Sequence, residues 1–393
     1  MEFVTLGDLF KISSGGTPSR REKSYYDNGD IPWIKTGDLH KCRIQQASEY
    51  ITQLGLDKSS AKLFPKGTVL LAMYGATIGA CSILDIEAAT NQACAAFLPN
   101  EKVDTNYLYY FLISKKNDFI RDGVGGAQPN ISATYLKTVS FPLPPLETQK
   151  QIAAVLEKAD QLRKDGKLLE QELNSLAQSL FIDMFGDPVT NPKGWDVRAL
   201  SNVVVSIQGG KSPKCESRPA LNNEWGILKL SAVTGGLYRP DQNKAILEGT
   251  LPNPDIELKQ GDLLFTRKNT YELVGACAYV RETPEQLMLP DLIFRFQMPE
   301  QLKVYLWGLL NNQSFNLKVR ALASGAAGSM PNIAKSKLYD LTLPLPPESE
   351  IEKYTRSIVG IWEQQDTLKE LRGSYQANFN ALMQKAFKGE LTL

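Results

Sequence analysis

The residues best placed to do chemistry sit in two glycine-led turns. Ser13-Ser14-Gly15-Gly16-Thr17-Pro18-Ser19-Arg20-Arg21 sets hydroxyls and a glycine pair ahead of two guanidiniums. Gln208-Gly209-Gly210-Lys211-Ser212-Pro213-Lys214 repeats that arrangement in the second half. Glycine lets a backbone approach a phosphate. Ser14, Thr17, Ser19 and Ser212 can donate to its oxygens, and Arg20, Arg21, Lys211 and Lys214 supply charge. Lys35 and Lys229 follow matched strand-like runs. Tyr74 in the first half lies opposite Arg267-Lys268-Asn269 in the second, where Arg suits bidentate reading of guanine and Asn of adenine in the major groove. Asn91 and Gln92 carry the same amide chemistry. The bland alternative for each turn is a solvated hairpin.

Catalytic patterns are missing from the sequence. A single histidine, His40, rules out a multi-histidine metal site and a histidine-based triad. The stretch Gly209-Gly210-Lys211-Ser212 ends like a phosphate-binding loop, but Val205 stands where the first glycine must be. No Asn-Pro-Pro-aromatic or Asp-Pro-Pro-Tyr run marks an amino-methyltransferase. Five cysteines without paired spacing suggest neither a metal ribbon nor a disulfide framework. Net charge is +1, so a nucleic-acid surface must come from local clustering. No apolar run reaches the roughly 18 residues of a membrane span, and the start lacks a signal-peptide pattern, so a cytoplasmic location is expected. The chemistry expected is binding, with no metal.

The elements that would position these turns occur twice. A shift of 202 brings Pro129-Asn130-Ile131 onto Pro331-Asn332-Ile333 and Pro142-Leu143-Pro144-Pro145 onto Pro344-Leu345-Pro346-Pro347. Earlier in the chain a shift of 194 aligns Gly15-Gly16 with Gly209-Gly210, Lys35 with Lys229 and Gly67 with Gly261. Each copy reads as short β-like runs between turn formers, then a short helix, a glycine-rich loop (123–128 and 324–329), a last strand and a double proline. Proline suits the first turn of a helix and drives the residue before it out of the helical region, so each double proline aims a helix away from a strand.

After each double proline comes a long amphipathic run. Apolar residues recur at Ile152, Val155, Ala159, Leu162, Leu169, Leu173, Leu176 and Leu180. In the second run they recur at Tyr354, Ile358, Ile361, Leu368, Tyr375, Phe379, Leu382 and Ala386. Steps of three and four describe a heptad seam. The expectation is that the two helices pair, antiparallel, as a spacer. The domains are then 1–145, a helix over 146–187, 188–347, and a helix over 348–393. The fold class is α+β: two tandem α/β globules separated by two long antiparallel coiled-coil helices, a pseudo-twofold internal repeat.

The segments LGDLFKISSGGTPSR, GGAQPNISATYLKTVSFPLPPLETQKQIAAVLEKAD and MPNIAKSKLYDLTLPLPPESEIEKY resemble the specificity subunits of type I restriction-modification systems. The second copy departs from the pattern after its prolines, where the usual Glu-x-Gln is written Glu348-Ser349-Glu350-Ile351. The resemblance implies two target recognition domains, each reading half of a split duplex DNA site, with no catalytic activity in the chain itself. It implies that Ile152, Val155, Leu162, Leu169, Leu173, Leu176, Leu180, Ile358, Ile361, Leu368, Tyr375, Phe379 and Leu382 pair the helices and dock partners. Those partners are two methyltransferase subunits, which use S-adenosylmethionine, and motor-nuclease (restriction) subunits in the full complex. The competing class is a non-catalytic adaptor whose two heads grip proteins on a helical spacer.

Overall fold

The computed structural model describes residues 2–124, 130–325 and 330–391. The 123–128 and 324–329 loops lie largely outside that set. The chain divides into two units, residues 1–167 with 369–393, and residues 168–368. The fold is mixed α and β, with a long helix pair.

In the first unit the strands are β1 (Phe3–Thr5), β2 (Ser13–Ser14), β3 (Ile31–Ile34), β4 (Arg43–Ile44), β5 (Glu49–Ile51), β6 (Leu63–Phe64), β7 (Val69–Ala72), β8 (Cys81–Leu84), β9 (Ala88–Thr90), β10 (Cys94–Phe97) and β11 (Ser140–Pro142). Two mixed sheets run β2-β10-β7-β8-β4 and β5-β3-β9-β6, and β1 pairs with β11. The helices are α1 (Leu6–Leu9), α2 (Gln53–Asp57), α3 (Thr105–Ser114), α4 (Lys116–Asp122), α5 (Ala133–Thr138) and α6 (Leu146–Phe185). β7, β8 and β10 are buried at every position, which is why they read as continuous apolar runs and not as alternating strands. Helix α3 covers them, burying Tyr107 to Leu112.

The second unit repeats the plan with β12 (Asp196–Ala199), β13 (Ser206–Gly209), β14 (Gly226–Leu228), β15 (Asn243–Ala245), β16 (Leu263–Thr266), β17 (Cys277–Tyr279), β18 (Leu287–Met288), β19 (Ile293–Gln297) and β20 (Thr342–Leu345). Its sheets run β13-β19-β16-β17 and β15-β14-β18, with β12 paired to β20. Helices α7 (Glu300–Asn311), α8 (Gln313–Arg320), α9 (Lys335–Tyr339) and α10 (Glu348–Lys388) follow. The duplication is visible in strained backbone. Gly67 and Gly261 adopt φ +87° and +86°, and Gly79 and Gly275 adopt +78° and +85°. These left-handed conformations favour glycine, which explains why glycine is shared at these points.

Helix α6 starts directly after Pro144-Pro145 and α10 directly after Pro346-Pro347, and the strands before them are tied to the core. The Tyr107 hydroxyl donates to the Pro142 carbonyl at 3.1 Å, and Tyr305 does the same to Pro344 at 2.6 Å. Each ring also packs on its helix stem: Tyr107 on Phe387 at 5.3 Å, Tyr305 on Phe185 at 5.1 Å. In the first unit the exit is locked further by Gln149, which is fully buried. Its amide donates to the carbonyls of Pro144 (2.8 Å) and Lys102 (3.0 Å), and its oxygen accepts from Asp104 N–H (2.9 Å). The position equivalent to Gln149 in the second unit is Ile351. There α7 begins three residues earlier relative to the shared tyrosine, and Leu302 N–H, which corresponds to that of Asp104, is satisfied by Pro299 at 3.1 Å. With no stranded donor to serve, an apolar residue fits.

The helices pair antiparallel within each unit. In the first, Arg163 meets Gln376 (3.4 Å) and the Phe379 ring (5.1 Å), while Gly166 sits against Arg372 and Tyr375. In the second, Asn174 meets Gln365 at 2.9 Å, and Phe181 and Phe185 pack on Tyr354.

The seam differs in phase from the one read in the sequence. On α6 the buried positions are Gln149, Ile152, Ala153, Leu156, Asp160 and Gly166, then Leu173, Ala177, Phe181 and Phe185. Ile152 and Leu173 belong to it, and Leu180 packs at its margin. Val155, Leu162, Leu169 and Leu176 do not: they are 37, 44, 46 and 49% exposed. One residue is 100° on a helix, so a seam through Leu156 leaves Val155 on the flank. On α10, Ile358, Ile361, Leu368 and Phe379 are buried, while Tyr375 and Leu382 are half-buried.

Candidate nucleic-acid interface

The first turn leaves β2 where Ser14 pairs with Ala95. Gly15 and Gly16 are buried, not presented to solvent. A Cβ on Gly15 would lie 1.9 Å from the Thr90 carbonyl oxygen, and one on Gly16 would lie 2.2 Å from Ser60 Oγ. The Gly16 N–H donates to that Thr90 oxygen at 2.9 Å, and its own carbonyl accepts from Trp33 Nε1 at 3.0 Å. The structure gives these glycines a packing reason: they let the chain press against Thr90 of a neighbouring strand and against Ser60.

Beyond them the Thr17 hydroxyl donates to Gln92. Arg20 makes a bidentate pair with Glu49 at 2.7 and 2.8 Å and lies over the Tyr26 and Trp33 rings at 4.4 and 5.0 Å. Lys35 joins the same carboxylate at 3.0 Å. The Arg20 hydrogen bonds hold Glu49 down to about 2, aided by Lys35. Arg20 and Lys35 are therefore committed to an internal partner. Ser19 and Arg21 are exposed, and Arg21 has no ion pair among the described residues. Asn91 braces its own turn, accepting from Ala93 N–H at 3.2 Å, whereas Tyr74 is 43% exposed.

The second turn is built alike, one residue out of the register read in the sequence. Gly210, not Gly209, is the counterpart of Gly15: its Cβ would lie 1.9 Å from the Leu289 carbonyl oxygen. Ser212 then donates to Asp291, where Thr17 meets Gln92. Lys211, Ser212 and Lys214 are exposed, Lys229 is half-buried, and none of the three lysines has an ion pair among the described residues. Arg267 donates to Asn332 Oδ1 at 3.0 Å and lies 4.9 Å over Phe294, with Lys335 Nζ 5.4 Å from the same ring. Lys268 is half-buried beside it. Asn269 is only 7% exposed, and its oxygen accepts from Thr270 N–H, so it is not positioned to read a base. Buried Arg295 belongs to the frame as well, bonded to Asp262 at 2.8 Å and Gln208 at 2.6 Å.

Sequence reasoning missed the helix cations. Arg163, Lys164 and Lys167, and then Lys369 and Arg372, line one groove in the first unit. Spacings of three and four were the available signal, masked by the leucines that share the same helix. Among the described residues no cluster of His, Cys, Asp and Glu could hold a metal, and no helix is long and apolar enough to cross a membrane.

Residues 1–175 match the family model for the type I restriction modification DNA specificity domain. The chain is 33% identical over 229 residues to the MjaIX type I restriction enzyme specificity subunit of Methanocaldococcus jannaschii, covering 53% of this chain and 52% of that one. The chain thus spans about half of that relative's length. It is 24% identical over 414 residues to the EcoKI specificity subunit of Escherichia coli K12, covering 96 and 86%. The crystal structure of the S subunit from M. genitalium is similar in fold, with TM-score 0.59 at 15% identity over 98 and 96% of the two chains.

Proposed function

We propose, from the premise that the chain belongs to the family of type I restriction-modification specificity subunits, that each unit presents a target recognition head to duplex DNA. One head reads one half of a split site. The bases between the halves go unread, and the paired helices set how many are accepted. The chain does no chemistry itself. Two methyltransferase subunits carrying S-adenosylmethionine dock on the helices and flip an adenine out of each half-site. Restriction subunits complete the full complex.

One observation carries this reading. The two units repeat the same device, a strand-end glycine on a carbonyl followed by a hydroxyl pair, but surround it with different residues. Gln92 in one stands where Asp291 does in the other, and Tyr74 where Lys268 does. A shared frame with divergent side chains is what two readers of different half-sites require. The exposed row Val155, Leu162, Leu169 and Leu176, left out of the seam, gives partner subunits an apolar strip to cover. Exchange of residues 1–145 for those of a relative tests the reading. One half-site should change and the other persist; loss or change of both would count against independent readers.

A further inference from the structure

Two adjoining cavities of the first unit form one cationic channel. The first, about 570 Å³, sets His40, Lys41, Asp160, Arg163 and Lys164 beside a wall that includes Tyr109, Ile113 and Phe379. The second, about 530 Å³, continues from Arg163 and Lys164 to Lys167, Lys369 and Arg372. Asp160 is the one carboxylate on the lining of either cavity. It is 3% exposed and already bound by Arg163 and Lys164, each at 2.6 Å. Burial pushes the Cys42 thiol and Tyr109 hydroxyl up, so neither adds negative charge near neutral pH. Lys41, Lys167 and Lys369 have no ion pair among the described residues.

The second cavity has no apolar side chain on its lining, which besides its cations consists of Gly373 and Gln376. Gly373 lies inside a helix, where glycine is less favourable than alanine. A Cβ there would meet nothing within 4 Å, so no packing demand accounts for it; its effect is to keep the groove floor open. A protein interface core would offer apolar anchors. A row of unpaired ammonium groups beside an open floor suits phosphates spaced along a strand.

We propose that this channel holds the sugar-phosphate backbone of the DNA between the half-sites, contacted by Lys41, Lys167 and Lys369 without reading bases. The inference rests on the DNA-reading function above and adds a third, sequence-blind grip to the two heads. The test uses the assembled methyltransferase complex and a duplex bearing the motif mapped in cells. In the variant Lys41→Gln/Lys167→Gln/Lys369→Gln, the slope of log affinity against log salt should become shallower by about two to three, near 0.9 for each phosphate no longer neutralised. The methylated motif should stay the same, and the Lys→Arg triple should keep the wild-type slope. Neutral methylphosphonates in the spacer should weaken the wild type and leave the Gln variant unaffected. An unchanged slope overturns the proposal. So does loss of methyltransferase subunits from the variant at unchanged slope, which would assign the channel to a protein partner. A wild-type complex with no split motif would instead sink the DNA-reading function itself, so the two failures stay distinguishable.

Discussion

Gln149→Ile gives the first unit the residue that the second uses at the same place. In the second unit Ile351 is 1% exposed and stable there, because α7 supplies an internal acceptor for Leu302 N–H. In the first unit α3 starts later, and Asp104 N–H depends on the Gln149 oxygen at 2.9 Å. Isoleucine strands that donor and removes one hydrogen bond each from the Pro144 and Lys102 carbonyls. A stranded donor costs about 1–3 kcal/mol and each of the two missing bonds about 1, so the expected destabilisation is about 3–5 kcal/mol. For a unit of this size that lowers the melting midpoint by about 6–20 °C. Calorimetry of wild type and variant reads the shift, and hydrogen exchange at the Asp104 amide reads its origin. A midpoint within about 1 °C of wild type, with Asp104 still protected, would refute the account of why the two units differ at this position.

Three further expectations follow from other parts of the structure. Glu49 sits well below its ordinary 4.5, at about 2, mainly through Arg20. A folded value below the unfolded one means that its contribution is present above pH 4.5 and is lost as pH falls from there through about 2. Urea midpoints between about pH 6 and 2 should therefore fall less steeply in Glu49→Gln than in wild type, and identical slopes would contradict the pairing. Leu162→Glu with Leu169→Glu should leave the melting midpoint nearly unchanged, since exposed substitutions stay within about 0.5 kcal/mol, yet abolish co-purification with the methyltransferase subunit. Phe181→Ala, in the true seam, should cost about 3–5 kcal/mol in the same melts.

Much of the architecture was legible because it is written in backbone demands. Glycines at positive φ, double prolines before a helix and buried β runs leave the same residues in both copies, so the duplication and the helix starts could be read directly. The phase of the helix seam could not. Its middle is Asp160, Arg163 and Gly166, polar or small, while the heptad-spaced leucines beside it are exposed. Hydrophobicity alone therefore selected a stripe about 100° from part of the true one. The glycine-led turns were legible in type but not in their contacts. Arg20 and Lys35 look free in sequence, and only the fold brings Glu49 to them from another strand. Asn269 likewise looks like a base reader until its burial is seen. The channel cations were scattered over residues 41 to 369 and converge only in three dimensions.

Methylation mapping of genomic DNA, in cells carrying the partner subunits with and without this chain, tests the central claim most directly. The account predicts a two-part adenine motif with an unread gap, present only when the chain is expressed. A continuous motif, or an identical methylation pattern without the chain, would contradict it.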